Sequence, residues 1–111
     1  MAFEKICTLD DVWEGEMATY QTADGTGVLL VVLRGGDVRA YQAMCPHQEV
    51  ELVEGTLEKN ILTCRAHLWQ FDVCTGQGVN PADSALAQYP TKVEGENIYV
   101  DIDGIQPLSH A

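Results

Sequence analysis

Apolar residues in this chain come in strand-sized runs cut by Gly and Asp, with no long helical period between them, and that pattern points to an all-β domain. The strongest run, Val28 to Leu33, is apolar and rich in β-branched residues. Gly35-Gly36-Asp37 separates it from Val38 to Ala43, which predicts a hairpin. A second hairpin is expected where Tyr89 to Glu94 and Ile98 to Ile102 flank Gly95-Glu96-Asn97, with Ile98, Val100 and Ile102 at period two. Shorter strands are expected at Glu4 to Thr8, Met17 to Thr22, Thr56 to Leu57, Asn60 to Thr63 and Trp69 to Asp72. The one helical signal is Thr8 to Trp13, where Thr8 is placed to cap a single turn with Asp10 and Asp11 near its positive end. Short antiparallel strands of this kind build a β sandwich or a barrel-like domain.

The bulk properties narrow the partners. At 111 residues, 46% hydrophobic and 21% charged, the chain has the size and composition of a single compact domain over 1–111. Six Lys and Arg against seventeen Asp and Glu leave a formal charge of -11. Phosphate backbones and anionic lipid surfaces repel such a protein, whereas a partner with a basic docking face attracts it, so neither nucleic acid nor membrane is expected. No run approaches the roughly 20 apolar residues that span a bilayer. The start, Met1-Ala2-Phe3-Glu4-Lys5, lacks the layout of a signal peptide, and a cytoplasmic location is expected. In that reducing compartment Cys7, Cys45, Cys64 and Cys74 read as metal ligands or free thiols rather than disulfides.

Two short pairs carry the chemistry: Cys45-Pro46-His47 and Cys64-Arg65-Ala66-His67, with sixteen residues between His47 and Cys64. The only other histidine is His110, beside the C-terminus. Thiolates and neutral imidazoles are ligands that soft and borderline transition metals prefer, so these four residues can complete one site. A structural zinc site usually takes its cysteines as one close pair and its histidines as another, and a zinc-stabilised interaction module is the reading from a different functional class. Here each pair is mixed. In a Rieske centre two histidines replace two cysteines on one of the two irons, so a mixed pair can give one ligand to each iron.

On these motifs the chain resembles Rieske-type [2Fe–2S] ferredoxins over nearly its whole length, most closely the ferredoxin components of toluene and benzene monooxygenases. Phe3 to Asp11, Tyr41 to Glu49 and Thr63 to Trp69 carry the closer likeness. The resemblance implies a Rieske fold, an antiparallel β sandwich with a small cluster-binding subdomain, and one [2Fe–2S] cluster. Cys45 and Cys64 would bind the inner ferric iron, and His47 and His67 the outer, redox-active one. Gly76 to Pro81 looks like the proline-containing loop that covers the cluster; its glycines widen the accessible backbone and Pro81 stiffens it. The implied role is an electron carrier, not an enzyme. It would act as a monomer, taking electrons from an NADH-dependent flavin and iron–sulfur reductase and passing them to a di-iron hydroxylase that oxidises aromatic hydrocarbons. The ferredoxin of a ring-hydroxylating dioxygenase and the small Rieske subunit of a nitrite reductase are the alternatives within the same chemistry.

Departures from the family pattern are informative. Leu68 follows the second histidine where many relatives have Gly, so a different local turn is expected there. Glu49 and Ala66 stand where high-potential relatives place a disulfide, and Trp69 and Phe71 where they place hydroxyl donors to cluster sulfurs. Fewer donors and many carboxylates place the potential toward the bottom of the Rieske range of about −150 to +300 mV. Cys7 and Cys74 lack partner motifs and read as small buried hydrophobes. Trp13 and Trp69 read as core residues, with partial exposure and a docking role open for Trp69. Asp10, Asp11, Glu49, Glu51 and Glu54 lack the spacing of a calcium loop and read as a solvated face.

Overall fold

The structure, a computed structural model, describes residues 3–47, 50–66, 68–80 and 82–108. Eleven strands follow one another: β1 (Glu4–Thr8), β2 (Met17–Gln21), β3 (Gly27–Val32), β4 (Val38–Gln42), β5 (Thr56–Glu58), β6 (Ile61–Thr63), β7 (Gln70–Asp72), β8 (Gly78–Asn80), β9 (Gln88–Tyr89), β10 (Thr91–Glu94) and β11 (Asn97–Val100). They form three antiparallel sheets of order β1-β11-β10, β2-β3-β4-β9 and β5-β6-β7-β8. Among the described residues the helical content is one 3-10 turn, Leu52–Glu54. No described helix is long and apolar enough to cross a membrane.

The unbroken apolar run of β3 has a structural cause: its strand is buried on both faces. Val28, Leu30 and Val32 join Cys7, Val38, Ala40, Tyr89, Ile98 and Val100 in one core. Leu29, Val31 and Leu33 join Tyr41, Leu52, Leu62, Phe71, Val73, Cys45 and Cys64 in a second. Successive side chains of a strand point to opposite faces, so the sheet containing β3 is the middle layer, with the terminal strands on one side and the β5–β8 sheet on the other. Burying each of the Val, Leu, Ile and Phe side chains among them stabilises the fold by about 1.5–3 kcal/mol relative to exposure. The second core is continuous with two cysteines, so folding of the middle sheet and construction of the site share the same contacts.

Both expected hairpins form. Val28 pairs with Gln42 and Val32 with Val38, closed by Gly35 and Gly36 at φ of 102° and 97°. Thr91 to Glu94 pair with Val100 to Asn97 around Gly95. The expected strand from Tyr89 to Glu94 is divided, however. Pro90 has no N–H for a ladder, and the chain changes sheets there: Tyr89 pairs with Ala40 of the middle sheet, while Thr91 pairs with Val100 of the outer one. The helical turn expected over Thr8 to Trp13 does not form. Asp11 reverses the capping: its carboxylate accepts from the Thr8 N–H (2.9 Å) and Oγ1 (3.2 Å), and its own N–H donates to the Thr8 carbonyl (3.0 Å), making a tight turn. Trp13 is 69% exposed rather than core, its indole N–H donating to the Asp10 carbonyl, and Val12 is the residue that anchors the turn inward.

Candidate metal centre

Cys45 and Cys64, the cysteines of the two candidate pairs, sit in two loops built on the same backbone plan. In the first, the Cys45 N–H donates to the Val50 carbonyl (2.8 Å), the Leu52 N–H donates to the Ala43 carbonyl (2.9 Å), and Met44 bridges to Glu51. In the second, between β6 and β7, the Cys64 N–H donates to the Trp69 carbonyl (2.7 Å). Each cysteine N–H thus reaches the carbonyl five residues on and closes the base of its loop. The 3-10 turn stands between the loops, and Arg65 of the second loop reaches Glu54 of that turn at 3.0 Å. Both partners of this ion pair are about half exposed, so it orients the loop more than it stabilises the fold.

The closed bases bring Cys45 and Cys64 together. Both are buried, Cys64 completely, and their thiols are in hydrogen-bonding contact. Burial pushes the Cys64 thiol up; a hydrogen bond from the Ala66 N–H pulls it back, and the adjacent Cys45 thiol pushes it up again. The two sulfurs are held side by side in the apolar cluster that contains Leu52, Leu62 and Phe71, an arrangement suited to binding one metal centre together. His47 is half-buried, and its imidazole stacks on the Trp69 indole, with ring centroids 4.4 Å apart and 9° between planes. Trp69, whose carbonyl closes the second loop, therefore fixes a ring of the first. Its indole also meets Phe71 at 6.5 Å and 46°.

These donors fit an iron–sulfur cluster: a buried sulfur pair, an imidazole held by stacking, and a backbone N–H directed at one of the sulfurs. His67 lies outside the described residues, as do Gln48, Glu49 and Pro81. Among the described residues no group of three or more His, Cys, Asp and Glu converges.

Leu68, where a local turn different from that of relatives with Gly is expected, takes φ of 56°, the left-handed conformation that glycine adopts freely, and leaves its side chain 66% exposed. The covering loop expected at Gly76 to Pro81 is partly a strand, since β8 pairs with β7 through Asn80–Gln70 and Gly78–Phe71. Gly76 itself has φ of 84° and lies against the Tyr41 ring and the Leu86 carbonyl, so its role is close packing as well as turning. Cys7 is buried as expected, beside Tyr20. Cys74 is not: it sits exposed in the turn after β7, where its carbonyl accepts from Arg39 (3.4 Å).

Two positions that support the site carried little signal in the sequence. Gly55 has ordinary backbone angles, but a β-carbon there would fall on the Thr63 carbonyl, one residue before Cys64. Gln42 is a polar residue at the end of an apolar strand, and it is 2% exposed.

Comparison with known proteins agrees with this construction. The Rieske [2Fe–2S] domain family matches residues 2–90. The chain is 45% identical, over 93% of its length and 81% of the relative's, to the ferredoxin component of an alkene monooxygenase system of Xanthobacter autotrophicus. It is 36% identical, over 94% of its length and 96% of the relative's, to the ferredoxin component of biphenyl 2,3-dioxygenase of Rhodococcus jostii. A chain in the complex of reduced oxygenase and oxidized ferredoxin of carbazole 1,9a-dioxygenase superposes with a TM-score of 0.78 at 26% identity, covering 88% of this chain and 91% of that one. Paired buried thiols, a stacked histidine and this similarity lead to one conclusion: the chain belongs to the Rieske [2Fe–2S] domain family and takes one cluster of that type.

Proposed function

We propose that the protein is an electron-transfer ferredoxin of a multicomponent monooxygenase, accepting single electrons from a reductase and delivering them to an oxygenase component. The observation that carries this reading is the 45% identity, across nearly the whole chain, to a monooxygenase ferredoxin. In its finer form, the donor is an NADH-dependent flavin and iron–sulfur reductase, the acceptor a di-iron hydroxylase, and the substrate an aromatic hydrocarbon. The protein acts as a monomeric cytoplasmic carrier, a single domain over 1–111, with no catalysis of its own.

The bound cluster supplies one-electron redox chemistry at the protein surface. The chain's own residues supply the rest. Cys45 and Cys64 would hold one iron, and His47 and His67 the other. The Ala66 N–H, directed at the Cys64 sulfur, stabilises added negative charge, while the apolar floor beneath the thiols keeps water from that side. Trp69 stacks on the His47 ring and fixes its orientation. The acidic surface accelerates encounter with basic partner faces.

The second reading, a ferredoxin of a ring-hydroxylating dioxygenase, is favoured by the 36% identical biphenyl dioxygenase relative. Reconstitution separates the two. The purified holoprotein is combined with reductase and with either a di-iron monooxygenase hydroxylase or a Rieske dioxygenase oxygenase, and NADH-coupled product formation is measured. Turnover with the first alone is expected; turnover with the dioxygenase alone overturns the monooxygenase assignment.

A further inference from the structure

The side chain of Gln42 joins three separate parts of the chain. Its Oε1 accepts from the Ala87 N–H (2.8 Å) and the Leu108 N–H (2.9 Å), and its Nε2 donates to the Met44 carbonyl (2.8 Å) and the Leu108 carbonyl (3.0 Å). Both lone pairs and both hydrogens of the amide are used, which satisfies the group completely in a site where it is 2% exposed. Toward Leu108 the amide behaves like a peptide group of a neighbouring strand, bonding both the N–H and the C=O of one residue. Met44, the other acceptor, directly precedes Cys45. Leu108 belongs to the segment beyond residue 90, where the Rieske family match ends.

We propose that Gln42 is a positioning residue for the cluster, its amide tying the C-terminal segment at Leu108 to the Met44 carbonyl so that the tail braces the first ligand loop. The proposal rests on the reading of Cys45 as a ligand. The amide is the one side chain of its shape that can do this. A glutamate keeps the two acceptor bonds but sets an oxygen against the Met44 and Leu108 carbonyls, and a methionine makes none of the four bonds. Among the described residues, the backbone bonds that close the first loop, Cys45–Val50 and Ala43–Leu52, lie within the loop itself, and the His47–Trp69 stack ties it to the second loop, so the Gln42 amide is what links it to the tail. Freeing the tail therefore loosens the backbone one residue from a ligand and lets the metal centre open to solvent.

The test uses reconstituted holoprotein in four forms: wild type, Gln42→Glu, a chain shortened to end at Gln106, and both changes together. Loss of visible absorption in the presence of an iron chelator gives the rate of cluster release, and the EPR spectrum of the reduced protein reports the geometry of the site. Each single change is expected to speed release by about tenfold and to shift or broaden the EPR signal, and the double change to be no faster than the faster single one, because both break the same tie. Ile98→Val, a mildly destabilising change in the opposite core, should leave release and spectrum alone. Release and EPR spectra unchanged in both Gln42→Glu and the shortened chain overturn the brace. So does acceleration by Gln42→Glu without acceleration by shortening, since the tail is then not the bracing element. If Gln42→Glu does not fold, the shortened chain alone decides. Cys45→Ser keeps the two questions apart: an intact cluster in that variant removes the ligand reading, whereas a lost cluster there with no effect of shortening removes only the brace.

Discussion

Leu68→Gly should make this ferredoxin more stable and less effective. The leucine holds φ of 56°, where an L-residue is disfavoured by about 1–2 kcal/mol because its β-carbon crowds the following carbonyl. Its side chain is 66% exposed, so truncation forfeits little buried area. Against the relief of strain stands the greater freedom of glycine in the unfolded chain, about 0.5–1 kcal/mol. The net gain is about 0.5–1 kcal/mol, equivalent to a rise of roughly 2–5 °C in Tm for a domain near this size. Leu68→Ala is the control, since alanine removes the side chain and keeps the strained backbone; its stability should match wild type. Urea unfolding followed by tryptophan fluorescence on the holoproteins measures the difference. Strain retained at an exposed apolar residue in the Cys64 loop has a use if the side chain meets the partner. Both variants should therefore slow electron delivery to the oxygenase in stopped-flow experiments by a similar factor. A Leu68→Gly protein less stable than Leu68→Ala would refute the strain argument, and unchanged transfer rates in both would place the docking contact elsewhere.

Further outcomes follow from the packing around the thiols. Gly55→Ala should displace the Thr63 carbonyl and with it Cys64, destabilising the holoprotein by about 1–3 kcal/mol in urea titrations and accelerating cluster loss; a fully stable variant would show that β5 moves aside freely. Phe71→Tyr places a hydroxyl in the buried cluster that contains both cysteines, and a bond of about 1 kcal/mol to a sulfur should raise the potential by roughly 40 mV in protein-film voltammetry. The wild-type potential should lie toward the lower end of the Rieske range of about −150 to +300 mV, because Trp69 and Phe71 add no hydroxyl donor to the one that the Ala66 N–H supplies. Cys64→Ser should abolish or grossly alter the visible spectrum, whereas Cys74→Ser, at an exposed turn, should leave it unchanged.

Features that depend on local spacing and residue chemistry can be read from the amino-acid order. The mixed Cys and His pairs, the glycine-closed hairpin around Gly35 and Gly36, and the period-two face of β11 are all properties of a few adjacent residues, and they are legible without a fold. Whatever depends on which surfaces meet is set only when the chain folds. Tyr89 and Thr91 are separated by one proline, yet they serve different sheets because each pairs with a distant strand. Trp13 is left in water because Val12 fills the place beside it, and hydrophobicity alone cannot choose between two apolar neighbours in a turn. Leu68 accepts a left-handed backbone because the loop must close Cys64 onto Trp69, a geometric demand set by the loop rather than by the leucine. Gly55 is required by a carbonyl that arrives from another strand, and Gln42 by three segments that come together only when the chain has folded. A ligand set is a property of residue type, but the partners that hold it in place are defined by distances between residues far apart in sequence, and those distances exist only in the folded chain.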